Sequence, residues 1–584
     1  MSEPTMSEPS APPAIHTAGD PVAMEVFANR LLSITEEMGH ILIRASFSTN
    51  IKERKDCSVG MFDARGRCIA QAAHMPLHLG SLLGAVRSVL EHTPVERMKE
   101  GDAFICNDVF LARGTHQPDI TIVTPIFHQS RVAFFAVNTG HHSDVGGPYP
   151  GSMSQSARSI FEEGIRIPVM RIYRQGELDE DLLAMISHNS REPVERTLDL
   201  KAQIAVNWRG GALMMRLVEA DGIAAVERAI DDLLSYTARR LRARIAALPD
   251  GEYSGERWMD SDGLPGGEPI RLCAKVVVKG DDLLIDFEGS APQARGAMNV
   301  AGVALEATCY YAAKALLDPE APANSGLFEA VRISAPEGSI LNPRFPAATA
   351  VRAITCNRAA GAIFAAMAQI APPERNLAGS HDNVPLLLVS GQRRSGTYVY
   401  LEVIAGGIGA RLGADGADAT QVHTVNSSNL PAEALEIEYP LLVDAYALVP
   451  DSGGAGHWRG GLGLARQISS RVDGSLLTAR GEGYITAAPG YAGGHDGGLA
   501  TLRFNPGTPA EKPLPTATTA LPLKAADAVR MQTPGGAGYG KPEDRTDDAI
   551  ATDIMDGKTS RMAAERDYGA ARVASALAAW KDTA

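Results

Sequence analysis

Residues 119–144 read DITIVTPIFHQSRVAFFAVNTGHHSD, two runs of β-branched and aromatic residues separated by His128-Gln129-Ser130-Arg131. Such runs suit a pleated, buried surface, and the connection between them is of hairpin length. In an antiparallel hairpin the start of the first strand lies beside the end of the second. A turn centred on Gln129-Ser130 makes paired residue numbers sum to about 259, setting Asp119 opposite Gly140. The loop GTHQPD (114–119) that enters the hairpin therefore meets the loop GHHSD (140–144) that leaves it. His116, Asp119, His141, His142 and Asp144 converge at one end.

Neutral imidazole and carboxylate ligands suit Zn, Mn or Fe(II), and two His with one Asp leave positions open for water or substrate. Pro118 stiffens the segment carrying His116 and Asp119, and Gly140, Gly146 and Gly147 permit close backbone approach. The competing interpretation is a polar loop capping a hairpin, its histidines bonded to backbone. Two clusters joined by strand pairing favour a metal or catalytic site over that. HMPLHLGS (74–81) supplies His74 and His78 four apart, which could add to the same site; the favoured expectation is a capping loop ahead of a helix over 79–92. FEEGIRIP (161–168) supplies Glu162, Glu163 and Arg166: a carboxylate for general-base work, or a solvated helix start.

Outward from the hairpin, 584 residues exceed what one core serves, so two or more domains are expected. Asp20 and Pro21 form a helix start, and long helical patterns fill 196–247. PDGEYSG breaks them near residue 250. RLCAKVVVKG and DLLIDFEGS then read as a hairpin closed at Gly280-Asp281, and a helix is expected over 303–317. The fold class is mixed α/β (α+β) and multi-domain. Hairpins and long helices fill the N-terminal half, and the C-terminal half is β-rich and Gly-rich. The expected parts are a disordered tail (1–20), an α/β domain carrying the site (21–250), a β-rich domain (251–545) and a terminal segment of two short helices (546–584).

A net charge of −14 argues against a nucleic-acid groove, which needs a clustered basic face. Six cysteines without a C-x-x-C fit a reducing cytoplasm. No apolar run approaches the ~20 residues that span a bilayer, and the Pro/Ser/Glu-rich N-terminus lacks the apolar stretch of a signal peptide. GGAGYGK (535–541) has phosphate-loop spacing but continues into Pro542, where Ser or Thr must bind Mg²⁺. DSGGAGHWRGGLGLAR (451–466) reads either as an anion clamp with Arg459 and Arg466 or as a structural turn.

NIKERKDCS, GRCIAQAAHMPLHLGS, ICNDVF, GTHQPDITIVTPIF, NTGHHSDVGGPYPGSM, EEGIRIP, DSGGAGHWRGGLG and PGGAGYGKPEDR, in that order, resemble the hydantoinase B/5-oxoprolinase family over about residues 20–570. The resemblance is to the hydantoinase B-type subunit. It implies an ATP-dependent hydrolase acting on cyclic amide C–N bonds (5-oxoproline, hydantoin or caprolactam type). A hydantoinase A-type partner would bind ATP/Mg and phosphorylate the substrate, in a hetero-oligomer. Related members carboxylate ketones such as acetone or acetophenone, and a non-catalytic scaffold subunit is a further alternative. By motif, the metal ligands of the related carboxylase subunit fall on His116, Asp119 and His141. The expected catalytic groups are His142, Asp144 and Glu163, with Arg166 and Arg459 holding the anionic substrate. Val109 stands where the family has proline, ahead of a longer loop to His116. The chain lacks the C-terminal extension of the acetone-type carboxylases, which favours hydrolysis.

Overall fold

The computed structural model describes residue 17 and residues 19–583, except 265 and 395. Most of the expected tail lies outside the described residues. The molecule is an α+β, multi-domain fold, with twelve α-helices and four sheets among the described residues. The sheet that positions the site has seven antiparallel strands: β1 (Cys57–Asp63), β2 (Cys68–Gln71), β3 (Ala103–Cys106), β4 (Asp119–His128), β5 (Arg131–His141), β6 (Met170–Arg174) and β7 (Glu177–Leu178). Their order is β2-β1-β5-β4-β3-β6-β7, so the hairpin of β4 and β5 is its centre.

Gln129 and Ser130 both have positive φ, +48° and +66°, the signature of a two-residue primed turn whose twist matches the strands it joins. The expected pairing holds next to the turn, where His128 faces Arg131. A bulge then intervenes: Phe127 pairs with Val132 but Ile126 pairs with Phe134, leaving Ala133 extra. Beyond it paired numbers rise by one, and Asp119 lies opposite His141 instead of Gly140. Cross-strand partners share a face, so the bulge sets the two side chains side by side.

Alternation along β5 divides the core. Phe134 and Ala136 pack with the helices Pro21–Ala45, Pro193–Asp221 and Ile223–Ile245. Phe135 and Val137 face the other way, towards the helices His78–His92, Gly302–Leu317 and Arg352–Met367. With both faces covered, the strand reads as a continuous apolar run. Asp20 caps the first helix, accepting from the Val22 and Ala23 amides. The second core extends from Phe62 to Val425, so the helix-to-strand change near 250 marks no division of the interior.

A second sheet joins β8 (Gly251–Met259), β9 (Ile270–Lys279), β10 (Asp282–Asp286) and β11 (Val331–Ser334), with β10 and β11 parallel. Four- and five-stranded sheets follow within 386–532. The Gly-rich runs of this half are backbone crossings: a Cβ at Gly460 would lie 1.9 Å from Gly536 O, and one at Gly536 2.0 Å from Ile408 O. GGAGYGK and the 451–463 run thus press against each other. The terminal segment holds three helices instead of two, Asp547–Met555, Arg561–Tyr568 and Ala570–Thr583, because Gly569 interrupts the second stretch with φ +92°. Among the described residues no helix is long and apolar enough to cross a membrane.

The His78–His92 helix is seated closely on the 302–317 helix. A Cβ at Gly80 would lie 2.4 Å from Val303 O. Gly80→Ala is therefore expected to destabilise the protein by about 1–3 kcal/mol through overpacking, read as a lower urea midpoint at unchanged m-value.

Candidate metal centre

β4 contributes Asp119 as its first residue and β5 contributes His141 as its last. His116 lies one turn before Asp119, where Thr115 Oγ1 donates to Asp119 Oδ2 at 2.7 Å. Three donor atoms meet: His116 Nε2 and Asp119 Oδ1 are 2.9 Å apart, His141 Nδ1 and Asp119 Oδ1 3.1 Å, and the two nitrogens 3.2 Å. Among the described residues this is the one group of three or more His, Cys, Asp or Glu with metal-ligand spacing. His116 and Asp119 are at most 1 % exposed and His141 4 %.

The proton inventory decides what such a cluster needs. Ala350 O can only accept, so His116 Nδ1 carries the hydrogen across their 2.9 Å contact and its Nε2 is a bare lone pair. Burial first, and the Arg352 charge second, push the His116 pKa down to about 3, so no second proton sits there near neutrality. Burial works against charge on Asp119 too, but the Arg352 guanidinium holds its carboxyl well below the usual range. Arg352 Nη2 meets Asp119 Oδ2 at 2.6 Å. The other carboxylate oxygen faces two imidazoles. Without a cation, one proton on His141 Nδ1 would have to serve both Asp119 Oδ1 and His116 Nε2.

The donor set fits a divalent cation. Ligands at about 2.0–2.2 Å from an ion in adjacent octahedral or tetrahedral positions stand roughly 2.8–3.6 Å apart, and the measured separations of 2.9, 3.1 and 3.2 Å fall at that spacing. Buried atoms beside the cluster also lack hydrogen-bond partners, among them His141 Nε2, Asp56 Oδ1 and Arg352 Nε.

His78, at the start of its helix, adds a third imidazole, with Nε2 3.6 Å from Asp119 Oδ1 and 3.5 Å from Asp56 Oδ1. Burial opposes its protonation, but Asp119 and Asp56 raise its pKa. Its Nδ1 meets Ser58 Oγ at 3.3 Å, and Ser58 lines a cavity of about 650 Å³ together with Met75, Tyr310, Tyr311, Lys314 and Asn426. Ser58 and His78 thus stand between that cavity and the donor triad.

The remaining expected site residues lie around this centre in other roles. His142 faces away: Arg196 Nη1 donates to its Nδ1, and its Nε2–H donates to Gln203 Oε1 at 3.0 Å. Both ring nitrogens are occupied, and burial with the Arg196 charge holds the ring neutral. Asp144 accepts from the Gly146, Gly151 and Arg191 amides and from Arg191 Nη1 at 2.9–3.1 Å, which closes its loop. Arg166 donates to Asp108 Oδ2 at 2.7 Å and lies over the Phe161 and Phe345 rings. Arg459 pairs with Asp553 and Asp418, and Arg466 with Glu402. The structure does not bring these arginines to the triad by any hydrogen bond or ion pair. His74 lines the cavity, Glu162 caps nothing in the triad but takes the Arg158 amide at 3.3 Å, and Val109 packs with Ile160 and Ala301.

Glu163 underlies the centre without touching it. Its Oε1 accepts from the Thr349 and Ala350 amides at 2.5 and 2.7 Å, holding the turn whose Ala350 carbonyl orients His116. Burial pushes its pKa up to about 8 against the opposing pull of those amides. The unfolded carboxyl titrates near ~4.3, so its contribution to stability is complete below that and lost as pH rises through about 8. Glu163→Gln removes this loss. Its melting temperature is expected to rise relative to wild type from pH 5 to pH 8 and to keep that lead above; paired melts at pH 6 and pH 9 check it.

Asp56 and Arg352 carry no local motif. Asp56 joins the centre because β1 pairs with β5, its carbonyl accepting from the His141 amide at 2.9 Å. Arg352 comes from a helix 233 residues further along the chain.

A two-histidine, one-carboxylate centre on a buried hairpin end of an α+β fold defines a class of metal-site candidates, and comparison supplies the family. The Hydantoinase B/oxoprolinase family model matches residues 20–542, and the chain belongs to that family. It is 31 % identical to the B component of a putative D-/L-hydantoinase from a Pseudomonas species, covering 94 % of this chain and 95 % of the relative. It is likewise 31 % identical to a 5-oxoprolinase from Dictyostelium discoideum, but spans only 41 % of that longer protein. The crystal structure of an ATP-dependent caprolactamase from Pseudomonas jessenii superposes with a TM-score of 0.87 at 27 % identity, covering 94 % of this chain and 96 % of that one. A nucleotide-free acetone carboxylase shares the fold, with a TM-score of 0.87 at 19 % identity, over 97 % of this chain and 83 % of the other.

Proposed function

We propose that this chain is the B-type subunit of an ATP-dependent amidohydrolase that opens a lactam or cyclic imide of the 5-oxoproline, hydantoin or caprolactam type. Its partner is a hydantoinase A-type, ATP/Mg-binding subunit in a hetero-oligomer. The observation that carries the reading is the set of three buried donors with no proton to spare, in a family whose named relatives act on cyclic amides. The six cysteines, all free, fit a reducing cytoplasm.

His116 Nε2, Asp119 Oδ1 and His141 Nδ1 would hold a divalent cation, Zn, Mn or Fe(II). When bound, such an ion supplies the Lewis acidity that brings the pKa of water near 7 and polarises a carbonyl oxygen. Arg352 and Thr115 fix the second oxygen of Asp119, which leaves Oδ1 turned to the imidazoles. Glu163 fixes the turn that orients His116. The 650 Å³ cavity would receive the cyclic substrate, with Ser58 on its wall and His78 behind it towards the centre. His78, between two carboxylates, would hold a proton for the departing nitrogen.

Co-expression with an A-type partner and a screen of lactams, hydantoins and ketones with ATP tests this. ATP-dependent ring opening without bicarbonate is expected. Turnover only of ketones, and only with bicarbonate, would replace it by the carboxylase reading, and full turnover by a His116→Ala/His141→Ala variant would leave a scaffold.

A further inference from the structure

Arg480 closes the strand Ser475–Arg480, between Leu386 of one neighbouring strand and Ala517 of the other. It is 1 % exposed, and Nε, Nη1 and Nη2 all lack a hydrogen-bond acceptor. Among the described residues no other arginine leaves its whole guanidinium buried in that state, and no carboxylate lies within ion-pair distance of it. The charge that acts on it is a like one, Arg352, itself 3 % exposed with Nε also unpartnered. Burial and then Arg352 depress the Arg480 pKa to about 9, the direction expected of a cation short of a counter-charge. Arg352 is also the first residue of the 16-residue helix Arg352–Met367, whose N-terminal end adds positive potential.

A fully desolvated guanidinium without an acceptor is a strongly unfavourable arrangement unless a bound group supplies one. Its five N–H donors form a planar fork that matches two oxygens of a carboxylate or phosphoryl group. Arg352 ties this location to the triad, because its Nη2 is already on Asp119 at 2.6 Å.

We propose that Arg480, with the free edge of Arg352, forms an oxyanion-binding site beside the donor triad and takes a carboxylate or phosphoryl group of the substrate. This deepens the amidohydrolase reading by giving the substrate an anionic handle or an activating phosphoryl group, but anion binding itself requires no metal. Two buried cations that act on each other, with donors left unpartnered on both, are the receiving half of a charge-complementary pair. Either oxyanion would complete it.

The test is thermal melting of the full chain, as purified and after EDTA, titrated with sodium phosphate or sodium acetate against sodium chloride at matched ionic strength. Wild type is expected to gain about 2 °C or more, saturably, from phosphate, acetate or both, and not from chloride. Response to phosphate alone identifies a phosphoryl site, and response to acetate a carboxylate site. Arg480→Met, which removes an uncompensated charge, is expected to melt no lower than wild type without anion and to lose the shift. Arg480→Lys, a point charge in place of a fork, is expected to keep a shift with a midpoint at least tenfold higher. An unchanged midpoint in Arg480→Met or Arg480→Lys overturns the proposal, as does the lack of any saturable response in wild type, which holds even if the Met variant fails to fold. His141→Ala separates the two readings: it loses metal and keeps the anion shift. Unchanged metal content there counts against the triad, whereas the anion site stands or falls on the wild-type response and the midpoints of the Arg480 variants.

Discussion

Asp119→Asn is expected to reduce ATP-dependent turnover by roughly a thousandfold or more and to lower folding stability by about 3–5 kcal/mol. The two losses have separate causes. Oδ1 is the oxygen shared by His116 and His141, and an amide there cannot supply the anionic ligand that a divalent cation needs from this donor set. Oδ2 is the partner of Arg352 at 2.6 Å, and neutralising it leaves a buried guanidinium without its charge. Urea unfolding measures the second and turnover with the proposed A-type partner the first. A variant that keeps near-wild-type turnover would contradict the role of Oδ1 whatever its stability.

Glu163→Ala is the second large effect, and it acts at a distance. The substitution leaves the buried Thr349 and Ala350 amides without an acceptor, at about 1–3 kcal/mol each, so a loss of roughly 2–6 kcal/mol is expected. The same turn carries the Ala350 carbonyl that fixes the His116 tautomer and leads directly into Arg352. Turnover is therefore expected to fall at least tenfold by displaced ligands, whereas Glu163→Gln, which keeps the accepting oxygen, retains most of it. Equal loss in the two variants would show that the carboxyl itself takes part in the reaction. A loss in Ala alone marks Glu163 as a positioning residue.

How much of this was legible in the sequence depends on how local the cause is. The hairpin was, because Gln129-Ser130 sits between two runs long enough to form only strands. Its exact register was not: no local residue signals the bulge at Ala133, which moves Asp119 from Gly140 to His141. The convergence of His116, Asp119 and His141 survives that shift because one residue of slip still leaves the two loops adjacent. Of the two readings open for 451–466, the structural turn is the one the fold bears out, since Gly460 and Gly536 serve backbone-to-backbone contact. Arg352 and Arg480 were invisible, because nothing within several residues of either distinguishes it from a surface arginine. Their burial is decided by strands and helices over a hundred residues away from the hairpin. Asp56 is intermediate: it lies one residue before β1, and only the sheet order, with β1 beside β5, reveals its neighbour.

The central claim is that His116, Asp119 and His141 hold a divalent cation, and elemental analysis of the purified chain tests it most directly. About one equivalent of Zn, Mn or Fe per chain is expected in wild type, and less than a tenth of that in folded His116→Ala and His141→Ala. Equal metal content in wild type and both variants would contradict the assignment.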